Sequence, residues 1–256
     1  MTFLPIVGRE LRVASRRRGT YWGRFAAASM AVLAGGWVLV VTALDSGSQK
    51  DAGPVLFAIL AAMMFVWIAI AGIQLTSDCL STEKSGGTLG LLFLTDLRGY
   101  DVVFGKLAAT SMAASCIILA VLPVLAISLL LGGVSNAEFW RVALVAANLL
   151  FFFLSTGIFA SSVSRDDQRA LGVAVALALA LNLTPVLMAL YLEQHHSGSN
   201  SPLIWLICPA YGCVAAFADG YKWSPGAFWV NVAITQFYAW AFLWLACRIV
   251  PRSWQE

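Results

Sequence analysis

Residues 55–76 read VLFAILAAMMFVWIAIAGIQLT, a run with no acid, no base and no histidine. A bilayer's hydrocarbon is about 30 Å thick and a helix rises about 1.5 Å per residue, so such a run crosses it once. Five further stretches share the property: 25–44, 107–131, 142–163, 170–192 and 228–247. A charge at a span centre costs about 2.5–3.5 kcal/mol on the insertion scale, so its absence from all six reads as adaptation to lipid. Composition agrees, since 60% of the 256 residues are hydrophobic, only 11% are charged and mean hydropathy is +0.82. Soluble domains carry about 25% charge and disordered chains more, so both classes are excluded. The expected fold is an all-α membrane protein with six transmembrane helices.

A seventh apolar stretch, 203–218, is too short to cross and carries Pro209 and Gly212. Proline removes a backbone donor and breaks a helix. A broken, re-entrant hairpin within the outer loop 193–227 is expected before the sixth span, tolerated where protein covers its backbone. Orientation follows from the basic residues. With the N-terminus inside, only Lys50, Arg141 and Lys222 of the sixteen lie outside, which satisfies the positive-inside rule with both termini cytoplasmic. The net charge of +3 is then an orientation signal and a headgroup contact rather than a nucleic-acid footprint.

The parts outside the lipid differ in kind. Residues 1–24 place Leu4, Val7, Leu11 and Ala14 at helical spacing, with Arg9, Arg12 and Arg16 on other faces. Tyr21 and Trp22 stand where interfacial aromatics belong, and an amphipathic helix in the inner headgroup plane is expected. The inner loop 77–106 is too long for a simple turn. Glu83 and Lys84 precede a break at Gly86 and Gly87, and Thr88 caps a short helix. Leu89, Leu92 and Phe93 form its apolar ridge. Pattern alone leaves two fates open for that ridge: docking into another protein's groove, or folding back onto its own helix ends.

Chemistry of the usual enzymatic kinds is missing. GxxxxGK[ST] does not occur, and SGGTLG lacks the lysine that would reach a phosphate. Both histidines, His195 and His196, fall in an outer loop, so an intramembrane serine protease would lack its base, and HExxH is absent. The histidine pair has no ladder of further ligands, so no metal or other cofactor is expected. The five cysteines form no CxxC; Cys208 and Cys213 share the outer side, where a disulfide is open to them, and otherwise read as small apolar filler. Within the spans Gln74, Asn148, Asn182 and Gln236, with Ser155, Thr156 and Thr184, read as interhelical hydrogen-bond glue. With no charge in any span, a proton or ion relay has no residues to run on. Any transport must draw its energy from outside the bundle. Ala27, Ala31 and Gly35, and Gly172, Ala176 and Ala180, repeat every four residues and permit close helix approach within the chain or between two copies.

The chain resembles the ABC-2-type permeases, the membrane subunits of ABC exporters. Three features carry the resemblance: the opening PIVGRELR at 5–12 followed by more arginines and Tyr21-Trp22, the loop STEKSGGTLGLLFLT at 81–95, which is similar to E-[KR]-x-x-G-T-L-x-x-L-x-x-T, and Gly105-Lys106 before the third span. The resemblance implies that 83–95 form a cytoplasmic coupling helix between spans 2 and 3, touching a separate ABC ATPase subunit through Glu83, Lys84, Gly87, Thr88, Leu89, Leu92, Phe93 and Thr95. It also implies a second permease chain, with the first and fifth spans meeting across the dimer. The expected function is the permease subunit of an ATP-driven exporter in a bacterial cytoplasmic membrane, surrounded by lipid and without nucleic acid. The rival is a membrane scaffold or assembly factor that binds a soluble partner through the same inner loop.

Overall fold

The computed structural model describes residue 8 and residues 18–44, 52–81, 84, 99–195 and 202–251. Among these residues the chain is helical, with no strand. The long helices are α1 (Arg18–Leu44), α2 (Ala52–Ser77), α3 (Gly99–Leu131), α4 (Asn136–Val163) and α5 (Asp167–His195). Three short ones follow, α6 (Pro202–Ile207), α7 (Tyr211–Ala215) and α8 (Ala218–Trp223), before α9 (Pro225–Ile249). Five helices among the described residues, α2, α3, α4, α5 and α9, are long and apolar enough to cross a membrane. The described apolar part of α1 is the shorter run Ala28–Val38.

Two boundaries differ from the sequence reading. Residues 18–24, expected within the interfacial helix, continue α1 without a break. No proline interrupts them, and the isolated Gly19 and Gly23 weaken a helix without ending it. The third span, drawn from 107, belongs to a helix that starts at Gly99, so 99–106 leave the expected inner loop. Asp101 and Lys106 end the apolar run in sequence, yet both are buried, at 7% and 5% exposure, because this helix packs into the bundle, with Gly99 at its start against α9.

The axis of the bundle is α4. Of its most apolar window 72% is buried inside the chain, against 22% for α5, which places α4 at the centre and α5 at the rim. Ser135 caps it by accepting the Glu138 N–H at 3.2 Å, after a turn in which Gly132 and Gly133 take φ of 85° and 83°. Close approach to α2 depends on missing side chains. A Cβ on Gly72 would lie 2.7 Å from Phe153 Cβ, and one on Gly157 would collide with Thr76 Oγ1.

The outer hairpin is broken, as Pro209 requires: α6 ends at Ile207 and α7 begins at Tyr211. Side chains from two long helices satisfy the opened backbone. Asn231 of α9 donates to the Leu206 and Cys208 carbonyls, both at 2.8 Å. Asn182 of α5 accepts the Ala210 N–H at 3.0 Å. Irregular backbone at membrane depth is tolerable under such cover. The first turn of α4 holds the next bend: Glu138 Oε1 accepts the Ala218 N–H at 2.9 Å at the start of α8, and Arg141 Nε donates to the Ala216 carbonyl at 3.1 Å. The Arg141 guanidinium also lies 4.1 Å from the centre of the Tyr221 ring.

Overpacking a close crossing costs about 1–3 kcal/mol. Gly157→Leu is therefore expected to lower the thermal unfolding midpoint in detergent, whereas Gly172→Leu, whose Cβ meets nothing within 4 Å, leaves it unchanged.

Candidate functional site at the inner ends of the helices

The residues from which the inner loop departs form a compact polar joint. After α2 ends, the chain makes a tight turn through 78–80, and both the Leu80 and Ser81 N–H groups donate to Ser161 Oγ of α4 at 2.9 Å. One hydroxyl thus satisfies two buried donors that the end of α2 leaves behind. The Ser81 hydroxyl donates to Asp167 Oδ1 at 2.6 Å. Asp167 is the first residue of α5, where a carboxylate also suits the positive end of the helix dipole. The loop therefore starts tied to the α4–α5 corner.

Lys84 extends the same joint. Its backbone N–H reaches the Leu80 carbonyl at 3.0 Å, and its ammonium donates to the Ser162 carbonyl near the end of α4. The side chain is half-buried. Burial, followed by repulsion from Arg165, holds its pKa below the ordinary lysine value. A cation placed at these last carbonyls is favoured by the helix dipole and compensates for part of that burial.

The loop returns at an equally tight contact. A Cβ on Gly99 would lie 2.6 Å from Pro251 Cγ and 3.2 Å from the Cys247 carbonyl, so only glycine lets the start of α3 meet the end of α9 so closely. Departure and return are both anchored, on α4–α5 and on α9 respectively. A force on the intervening residues has rigid helices on either side to act on. The chemistry of the joint is hydrogen bonding and packing, and what it can do is transmit displacement.

Of the residues singled out in sequence, Lys84 is in this joint. Glu83, Gly87, Thr88, Leu89, Leu92, Phe93 and Thr95 lie outside the described residues, as do Arg9, Arg12, Arg16 and His196. Tyr21 and Trp22 fall in the first turns of α1, and His195 ends α5. The two small-residue stripes part company. Ala31 and Gly35 are buried, Gly35 facing Leu56 of α2, so that part of the α1 stripe packs within the chain; Ala27 lies on the same helix. Gly172, Ala176 and Ala180 are exposed along α5.

Among the polar span residues, Asn148 donates to the Val232 carbonyl at 3.3 Å, while Ser155, Thr156 and Thr184 bond back to their own helices. Gln74 is exposed and Gln236 half-buried. The cysteines are free thiols, Cys208 buried, and no group of metal-ligating side chains occurs among the described residues. Sequence reasoning missed Ser81, Ser161, Asp167 and Asn231. Asn231 had a signal, standing one helical turn before Thr235 near the start of an apolar span, and both are buried.

Fold and site together define a multi-pass helical membrane protein whose chain is fastened both where α2 ends and where α3 begins. Over residues 27–250 the chain matches the family model described as ABC-2 family transporter protein, and it belongs to that family. It is thus an ABC-2-type permease, a membrane transport subunit rather than a catalyst, and membership implies an ABC ATPase partner and surrounding membrane lipid. A search of curated proteins finds no match to the chain.

Removing the shared acceptor tests the joint. Ser161→Ala strands two buried N–H groups at about 1–3 kcal/mol each. Lower thermal stability and faster proteolytic cutting of the inner loop in inside-out vesicles are the expected outcomes.

Proposed function

We propose that this chain is the permease half of an ATP-driven exporter in a bacterial cytoplasmic membrane, working as a dimer with separate ATPase subunits. In this reading α1 supplies a sixth span and both termini lie in the cytoplasm. Basic residues then concentrate on the inner side, as the positive-inside rule demands. The chain acts as one transmembrane unit, with 83–95 as its coupling helix.

The double anchoring of the inner loop carries the reading. An ATPase that moved the ridge of Leu89, Leu92 and Phe93 would pull on Ser81 and push on Gly99, and so on α4, α5 and α9 together. Family membership supports the ATPase as the occupant of that ridge. Glu83, Lys84, Gly87, Thr88 and Thr95 shape the helix ends and its polar contacts, while Arg9, Arg12 and Arg16 with Tyr21 and Trp22 seat the lead segment at the inner headgroups. The exposed Gly172, Ala176 and Ala180 support α5 as a face for a second permease chain, since small residues allow close approach in lipid. With Ala31 and Gly35 buried inside the chain, α1 offers that partner its exposed side, which includes Leu33 and Trp37.

Two outcomes are expected. Leu92→Asp abolishes co-purification of the ATPase subunit while membrane insertion is unchanged; retained ATPase binding would place the partner elsewhere. Gly172→Leu reduces the dimer fraction in detergent cross-linking with monomer stability intact.

A further inference from the structure

A second feature runs along α3 from the point where the loop returns. Tyr100, Phe104, Leu107, Ala108 and Ser111 of α3, with Phe151 of α4, line an open groove of about 470 Å³. Its wall continues onto α9, where the Trp240 ring lies 6.5 Å from Phe104 and 5.5 Å from Phe151, centroid to centroid. Trp240 is 55% exposed, so an aromatic face stands open beside the groove. We infer that this groove is a binding site for one acyl chain of an anionic phospholipid of the inner leaflet, with the phosphate held by Arg248.

Length supports the lipid first. From Tyr100 to Ser111 the groove runs about 16 Å along the helix, close to the roughly 15 Å depth of one leaflet's hydrocarbon. Its volume falls within the usual range of about 300–1,000 Å³ for ligand sites.

Position supports it next. Gly99 packs on the Cys247 carbonyl, so the residues that follow, Tyr100 and Arg248, stand at the same level at the inner surface. Phe151 lies near the middle of α4, so the other end of the groove reaches the bilayer centre.

Charge completes the fit. Trp240, Trp244 and Arg248 follow one another turn by turn on α9, and the Arg248 guanidinium lies 3.7 Å from the centre of the Trp244 ring. Asp101 also lines the inner end of the groove, but its carboxylate is almost wholly covered, whereas Arg248 is exposed. A phosphate diester meets a cation there, and an acyl chain meets aromatic walls above it. Trp240 and Trp244 supply flat apolar area against which an acyl chain can lie.

The site does not depend on which partner drives the inner loop. It adjoins the Gly99–Pro251 contact, so an occupied groove also braces the point where that loop returns.

Native mass spectrometry of the delipidated full chain, titrated with phosphatidylglycerol or phosphatidylcholine, tests the inference. Wild type takes up a first lipid ahead of the rest and prefers phosphatidylglycerol about fivefold, the factor one surface cation contributes. Ala108→Phe fills the groove and weakens that first binding about tenfold for both lipids, because the chain loses its contact partners. Arg248→Gln, on an exposed side chain, keeps the first lipid and loses the headgroup preference. Unchanged binding by Ala108→Phe, or an undiminished preference in Arg248→Gln, overturns the site. So does disulfide cross-linking of Ser111→Cys between two copies in native membranes, which would make the groove an interface between chains.

Discussion

The crossing of α2 over α4 is the contact on which the other packing rests. Between helices in lipid the hydrophobic effect gives little drive, since hydrocarbon is as good a neighbour as leucine. Close van der Waals contact has to replace it, and two glycines permit it: Gly72 accepts Phe153, and Gly157 accepts Thr76. Thr76 bonds its hydroxyl to the Gly72 carbonyl at 2.6 Å, so the polar atom at the crossing is satisfied within its own helix. With α2 and α4 locked, the end of α2 falls beside Ser161, and the polar joint follows from the apolar one.

Polar groups elsewhere obey the same economy. An unsatisfied backbone group in hydrocarbon costs several kcal/mol, so every break in a helix needs a partner brought from outside. The outer hairpin meets that condition with two asparagines, each an amide that can both donate and accept. Asn231 serves two carbonyls and Asn182 serves an N–H. Serine and threonine in the spans turn their hydroxyls back on the preceding turn, which frees the remaining faces for packing.

Five of the six expected spans could be read directly because lipid imposes one rule on composition, and the break at Pro209 could be read because proline imposes another on the backbone. What pattern could not supply is which neighbour a face meets. The stripes in α1 and α5 share a four-residue repeat, yet Ala31 and Gly35 are buried and Gly172 and Ala176 exposed. Asp101 and Lys106 look like the end of an apolar run, and only packing against neighbouring helices makes their turns part of the bundle. The joint was invisible for a simpler reason: Ser81 meets partners 80 and 86 residues away, and a serine carries no periodicity that would announce them.

A movement at the Ser161 end of α4 would travel along that helix. Two of the fastenings outside regular helix lie on α4, Ser161 at one end and Glu138 with Arg141 at the other, while Asn231 of α9 and Asn182 of α5 hold the hairpin from two further helices. A rigid rod of this length, about 42 Å, does not stretch, so a tilt imposed at Ser161 reappears at Glu138 with opposite sign about the glycine crossing. The hydrogen bonds at Ala216 and Ala218 are few and point in two directions, one to a carbonyl and one to an N–H. A tilt of α4 therefore reaches the hairpin through Glu138 and Arg141, while Asn231 and Asn182 tie the same hairpin to α9 and α5.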